Sequence, residues 1–535
     1  MAQPFSLSLE EIWIGLRFFS RLPFFLRHPV SHQESITTLQ TRLYNRSEDF
    51  LKLIKKAVFE SADSPYLSMF NWLGCEYSDF QDLVAKNGVE EALLALLQQG
   101  FYLTVDEFKG RIPLKRGNFS ILIDPSKLQN PLASSYIMTQ TGGSGGERTP
   151  ITTDLACIRD QAMNLKVLQE IHQGGAWKYA FWGVPGSSAM RILLRFALAG
   201  YLPLQWYTQV DPRTMGLHPR YLWSTRMMRW SSLLCGAPLP TPRYVPVTDS
   251  LPIIRWIEGI VRKGEVPYLF TFPSSAVCLA QAVHEHGASI SGTHIQLTGE
   301  PCTKTRLDII RSTGAKVFTQ YGSVETAGPL GFGCLFPYEP DHMHLLDDLQ
   351  AFIQPGESIQ IPNVPSQGIF ISSLRKYAPL ILLNVSLGDQ AVFTRRNCGC
   401  PLQKQGWTKH VHTIRSFEKL TCGGMALLDK DIIPVLEEIL PARFGGTLTD
   451  YQLLEEEGTT GNPSLKLLVH PRLGKLDSQA LTDVFFSSIG KGSGVEHMTE
   501  LLWRNLEILD IVREIPRSTD SGKIQHMHLE KRKAS

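Results

Sequence analysis

Between about residues 134 and 400 the chain alternates two hydrophobic periods, and this alternation restricts its fold more than any other feature. "HIQLTGEP", "KVFTQYGS" and "QGIFISSL", like "SILIDP" upstream, are short apolar runs bounded by turn formers, as strands are. "IRWIEGIVRK", like "EEALLALLQQ" upstream, spaces its apolar residues three and four apart, as a helix with one buried face does. Strands and helices in alternation predict α/β architecture around a large, mostly parallel or mixed sheet. Past "TIRSFEKLTCGG" the pattern changes. "DKDIIPVLEEILP" reads as helix, "LTDYQLLEEE" and "SLKLLVHPRL" as a strand pair, "SQALTDVFFSSIGKG" as helix and "LEILDIVREI" as a last strand. That is a small α+β unit of about 120 residues. The expected division is 1–414 and 415–535, with residues 1–40 as a helical N-terminal extension.

With 535 residues, the chain is long enough for a large core plus a smaller unit. Its 43% hydrophobic and 19% charged residues are those of a globular protein. A net charge of +2 gives no basis for a nucleic-acid partner. Nine scattered cysteines with no secretory signal before them point to a reducing, cytoplasmic setting. The segment "FSLSLEEIWIGLRFFSRLPFFLRHPV" is apolar, but Glu10, Glu11, Arg17, Arg21 and Arg27 interrupt it and Pro23 is expected to break its second half. It lacks the run of about 20 apolar residues that a spanning helix needs. A helix docked on the protein's own core is expected, with peripheral contact to a membrane surface as the alternative.

The stretch "IMTQTGGSGGERTP" sets four glycines around a serine after a strand-like run. Free backbone N–H groups in such a loop converge on anions, and Thr139, Thr141 and Ser144 add hydroxyls, with Arg148 as a nearby cation. No Gly-Lys-Ser/Thr follows, so the loop is not a Walker A loop, and its spacing is not that of a dinucleotide-binding turn. "GGSGG" also satisfies G-x-S-x-G, the nucleophile elbow of serine hydrolases, although Pro150 opposes the helix that must follow at once. A surface loop is the remaining reading. Three further stretches bear on the choice: "IQLTGEP" ends a strand in Gly299-Glu300-Pro301, "VFTQYGSVETAG" ends another in Tyr321-Gly322 with Glu325 beyond, and "IPRSTDSGKIQ" sets Lys523 among small residues.

In that order, these elements resemble the acyl-adenylate-forming superfamily, and most closely its phenylacetate–CoA ligase-like branch, which includes acyl-protein synthetase-like members. "EALLALLQQGFYLTVDEFKGRIP" resembles the region preceding the loop in that branch. The resemblance implies a large multi-sheet N-terminal domain with a small mobile C-terminal one. It places ATP phosphates on Thr141, Gly142, Gly143, Ser144, Gly145 and Gly146, the nucleotide against Gly299, Glu300 and Pro301, adenine near Tyr321 and Gly322, and Mg²⁺ on Glu325. Asp389, in "LLNVSLGDQAVF", would bind the ribose, Arg415, in "TIRSFEKL", would contact the nucleotide at the interdomain hinge, and Lys523 would reach the α-phosphate. Three positions depart from the family pattern: "ERTP" replaces the usual Pro-Lys after the loop, Val324 replaces a hydroxyl residue, and Phe417, followed by Glu418, stands at the usual hinge acid.

The implied activity is ATP-dependent formation of an acyl-AMP from a carboxylic acid, then acyl transfer. CoA is the first expectation for the acceptor, and a carrier-protein thiol or an amine is the second. A degenerate member retained as a binding protein is the non-enzyme alternative. Two anions meet in the first step, so it needs N–H donors and cations where negative charge builds up. Cys398-Gly-Cys400, with Cys334 and His344 in preference to His342, offers four ligands of the types a structural Zn²⁺ takes, and some members of the branch carry such a zinc. Buried thiols acting as small apolar groups would explain the same residues. "YAFWGVPGSSAM" and "PYLFTFPSSAV" could line the acyl pocket or simply be core. A homodimer is left open.

Overall fold

Twelve strands hydrogen-bond into one central sheet whose two halves follow different rules. In the first half, Pro242–Tyr244, Gln205–Thr208, Lys178–Gly183, Pro267–Thr271, His294–Thr298 and Lys316–Ser323 lie side by side and parallel. The second half is antiparallel: Gly328–Gly333, Met343–Leu345, Lys409–Ser416, Val385–Arg395, Gly368–Ser373 and Gln350–Ile353 continue the sheet to its other edge. The computed structural model describes residues 9–134, 137–140, 150–211, 213–214, 220–417, 419–422, 425–428, 432, 434–447, 450–457, 463–490, 495–516 and 527–529.

Parallel strands need crossovers, and helices on both faces supply them. Alternation along a strand then feeds two different cores. In Lys178–Gly183, Tyr179 and Phe181 pack with helices Leu155–Ile171 and Ser187–Leu198, whereas Ala180 and Trp182 face helices Leu251–Val261, Pro273–Glu285 and Lys304–Arg311. Strand Pro267–Thr271 is buried throughout, as a strand covered on both faces must be. The chain leaves Lys178–Gly183 toward one edge and returns to Pro267–Thr271 to build toward the other. This makes a switch point, where the loops at the carboxyl ends of the strands diverge and leave a crevice.

A third core joins the helical region before residue 109 to the antiparallel half, through residues such as Phe50, Phe70, Phe101, Phe370 and Leu383. The first helix, Leu9–Arg27, docks on the protein through Phe18, Leu22, Phe25 and Leu26, as expected. The expected break at Pro23 does not occur, because the helix continues through it to Arg27. Its missing backbone N–H removes one helical bond, while Leu22, Phe25 and Leu26 on either side keep that stretch seated. Among the described residues no helix is long and apolar enough to cross a membrane.

Beyond residue 416 the strands no longer join the large sheet. Tyr451–Glu457 and Pro463–Val469 form the expected antiparallel pair. Leu509–Val512 and Met527–Leu529 flank that pair in parallel, and helices Ser478–Ile489 and Val495–Asn505 accompany this four-stranded sheet. Fold class is as the sequence reads: a large α/β unit with a small α+β unit after it.

Candidate functional site

Strand Lys316–Ser323 forms the seam between the two halves of the sheet, parallel to one neighbour and antiparallel to the other. Its register shifts at Tyr321/Gly322, where a Cβ on Gly322 would lie 2.8 Å from the Gly328 carbonyl oxygen. Only glycine lets the chain double back so tightly there. The turn is then locked from inside: Ser323 Oγ accepts from the Thr326 N–H at 3.2 Å, and Gln161 Nε2 reaches the Thr326 carbonyl at 3.5 Å. Val324 packs against the apolar core, so the hydroxyls of this turn belong to Ser323 and Thr326. Gln161 and Thr326 carry no recognisable sequence signal.

Tyr321, buried, donates from its phenol to Asp389 Oδ2 at 2.9 Å. Burial first, and the Asp389 charge second, push its pKa well above the ordinary value, so it remains a donor. Asp389 stands opposite Ser416 in the ladder and Gln390 opposite Arg415, which sets Arg415 on the strand beside Asp389. Asp341, which sequence reasoning did not find, holds this corner. Its carboxylate accepts the N–H of Thr413 at 2.8 Å, the N–H of Ile414 at 3.0 Å and Arg415 Nη1 at 3.2 Å. Thr413 has a φ of 55°, so the two N–H groups are turned toward one acceptor where the strand is distorted. The Glu325 carboxylate makes no hydrogen bond among the described residues, and its charge is felt by both Tyr321 and Arg191.

Glu300 is engaged by the protein itself. Its buried carboxylate accepts from the Ser274 N–H at 3.1 Å, Ser274 Oγ at 2.7 Å and Arg306 Nη1 at 3.2 Å. It therefore clamps the turn after His294–Thr298, where Gly299 has a φ of 85°, to the start of helix Pro273–Glu285. Pro301 contributes its carbonyl to Arg306 at 2.9 Å.

The Gly-rich segment lies between two strands that pair with each other, Ile137–Gln140 and Pro150–Thr153, with Gln140 opposite Pro150. A chain that returns as a strand is not a nucleophile elbow, which must turn into a helix. Thr141, Gly142, Gly143, Ser144, Gly145, Gly146 and Arg148 lie outside the described residues, as do Glu418 and Lys523.

Four sulfur and nitrogen ligands converge separately. Cys334, His344, Cys398 and Cys400 offer ligand atoms within 4.8 Å of one another. Gly399, with a φ of 69°, turns the knuckle so that both of its cysteines face inward. His344 Nδ1 donates to the Trp407 carbonyl at 2.6 Å, which leaves Nε2 facing Cys400 Sγ at 3.1 Å. Trp407 is itself held by Asp348 Oδ1 at 2.9 Å. A histidine oriented by a backbone carbonyl toward thiols is a prepared metal ligand. The hydrogen bond from Cys334, first of all, pulls the Cys400 thiol toward the thiolate. The cluster contains His344, while His342 groups with Cys334 and His410.

No protein-family model matches the chain, and no curated protein matches its sequence. Solved structures do match. A 2-hydroxyisobutyryl-CoA ligase, in complex with 2-HIB-AMP and CoA in its thioesterification state, superposes with a TM-score of 0.51 at 14% identity, over 99% of this chain and 95% of that one. The amide bond synthetase McbA from Marinactinospora thermotolerans gives 0.42 at 11% identity, over 90% and 92%. The o-succinylbenzoate CoA synthetase MenE from Bacillus subtilis gives 0.42 at 12%, over 77% and 72%. The chain therefore shares the fold of the first of these, the 2-hydroxyisobutyryl-CoA ligase, along nearly the whole length of both.

Proposed function

We propose that the chain is an ATP-dependent carboxylate-activating enzyme that forms an acyl-AMP and passes the acyl group on, first of all to the thiol of CoA. One observation carries the reading: Tyr321, Asp389 and Arg415, distant in sequence, adjoin at the seam of a sheet with the adenylate-forming ligase fold, with Glu325 within electrostatic reach.

In this reading Asp389 and Tyr321 form a ready acceptor–donor pair for the nucleoside, and Arg415, aimed by Asp341, supplies positive charge beside it. Glu325 would hold Mg²⁺, which offsets the charge of the phosphates. The substrate carboxylate oxygen attacks the α-phosphorus, the bond to the β-phosphate bridging oxygen breaks, and pyrophosphate leaves. Lys523 and the N–H groups of residues 141–146 serve as the cations and donors that this anionic step needs. In the second step a thiol sulfur attacks the acyl carbonyl, the thiol proton passes to solvent and AMP leaves. A carrier-protein thiol or an amine would react at the same carbonyl. We further propose that the chain divides near residue 415, and that the smaller unit moves between the two steps, as gating domains do.

Cys334, His344, Cys398 and Cys400 would hold a structural Zn²⁺. The donor set fits, since it has three sulfurs and one nitrogen of fixed tautomer, and it would tie the loop before Pro401 to two strands of the antiparallel half.

The test is pyrophosphate release with a panel of carboxylic acids, ATP and Mg²⁺. Acid-dependent release, followed by consumption of CoA, is expected. Protein that binds ATP but releases no pyrophosphate with any acid would be a binding protein, and the proposal would fall.

A further inference from the structure

Helix Ser187–Leu198 starts at the switch point, directly after the strand Lys178–Gly183, and carries two arginines one turn apart on its buried side. Arg191 is 6% exposed and Arg195 3% exposed. A guanidinium this deep in a protein normally meets a carboxylate, because an unpaired buried charge is among the costliest features a fold can hold. Here neither does. Among the described residues Arg191 reaches only two neutral hydroxyls, Thr153 Oγ1 at 3.5 Å and Ser188 Oγ at 3.3 Å, and its Nε has no partner. In Arg195 both Nε and Nη2 are without one. Thr208, which lies two residues along the strand from Trp206 and so shares its face in the same core, also has an unpartnered buried hydroxyl.

We propose that Arg191 and Arg195 form a receptor for a second carboxylate on the acyl substrate, so that the acid activated is a compact dicarboxylic acid. The inference rests on the carboxylate-activating reading given above.

Position supports it. Arg191 is within electrostatic reach of Glu325, and it touches Thr153, whose strand follows the Gly-rich segment. It therefore lies beside the place where the reacting carboxylate meets ATP. Arg195 sits one helical turn further in, about 5–6 Å away at Cβ, near Tyr268 of the next strand. With its reacting carboxylate at the ATP, a short chain would bring its second anion to this pair. Burial pushes both guanidinium pKa values down to about 10, and they remain charged at neutral pH. Their planar forks match a carboxylate with paired hydrogen bonds, which gives selectivity against a neutral tail. Cys157 is no competing anion, since burial pushes its pKa up to about 12.

The experiment compares malonate, succinate and glutarate with propionate, butyrate and valerate in pyrophosphate release, using the full chain, its Arg195→Met and Arg195→Lys variants, and thermal melts of each. One dicarboxylate should exceed its neutral counterpart by about 100-fold or more in kcat/KM. In Arg195→Met that ratio should collapse, mainly through KM, and Arg195→Lys should restore part of it. The same acid should raise the melting temperature of the parent protein and not that of Arg195→Met. Arg195→Met without ligand should melt no lower than the parent, because it removes an unpaired buried charge. Preference for the neutral acids, a ratio unchanged by Arg195→Met, or an equal melting shift from sulfate or chloride would each overturn the inference. If no acid releases pyrophosphate, the activity reading falls, and the melts still decide whether these arginines bind a dicarboxylate.

Discussion

Two polar corners of the molecule treat their charges in opposite ways. At Asp341 and Asp389 every charged group that defines the corner meets protein: two backbone N–H groups and Arg415 on one carboxylate, the Tyr321 phenol on the other. At Arg191 and Arg195 the guanidiniums meet, among the described residues, hydroxyls or nothing. A corner satisfied in advance holds its shape without a ligand, as a site for the constant part of a reaction should. A corner left short of anions is kept at a cost in stability, and it gains its counter-charge only when a variable substrate arrives. On the proposed reading, the antiparallel half would fix the nucleotide and the switch point of the parallel half would select the acid.

The largest effect should come from outside both corners. Lys523→Ala should lower ATP–pyrophosphate exchange by at least about 10²–10³-fold, while ATP binding at the pre-satisfied corner changes little by calorimetry. Near-normal exchange would remove the lysine from the chemistry. Next is the Cys334, His344, Cys398 and Cys400 cluster beside the antiparallel half. Cys400→Ser should reduce bound zinc from about one equivalent to about a tenth or less, and chelation should lower the melting temperature of the parent protein toward that of the variant. Zinc-free parent protein with an unchanged melt would show that the thiols act as apolar groups. Asp341→Ala should follow: it strands two N–H donors and frees Arg415, at about 2–3 kcal/mol by denaturant titration, with a rise in KM for ATP. If KM for ATP were untouched, the corner would be structural only.

The parts of this design that show in sequence are those that depend on backbone chemistry or spacing. The strand periods, the C-x-C knuckle with its glycine, and Tyr321-Gly322, where a Cβ would strike the Gly328 carbonyl, are all local requirements. Asp341, Gln161 and Trp407 do not show, because each acts on a residue far away: Asp341 on Thr413 and Arg415, Gln161 on Thr326, Trp407 on His344. The partners of Glu300 do not show either, since its carboxylate accepts from Ser274 and Arg306, outside its own turn motif. Pro23 misleads, since tertiary packing carries the helix through a residue that local rules treat as a break. Arg191 and Arg195 read as ordinary charges in an amphipathic helix, and only burial without a carboxylate partner among the described residues sets them apart.

The smallest effect tests how complete the satisfied corner is. Tyr321→Phe removes one hydroxyl and leaves Asp389 Oδ2 without its 2.9 Å donor, while the ring still fills the same space against the core. A single lost bond with its acceptor left in place should cost about 1–2 kcal/mol in stability. The carboxylate has more freedom to turn once the phenol is gone, so binding of ATP should weaken, with kcat changed less than KM. Bound nucleotide should recover part of the lost stability in the variant, since its hydroxyls can donate where the phenol did. If ATP instead stabilises the parent and the variant by the same amount, Tyr321 acts as a structural prop, and the nucleoside is held elsewhere along the strand ends.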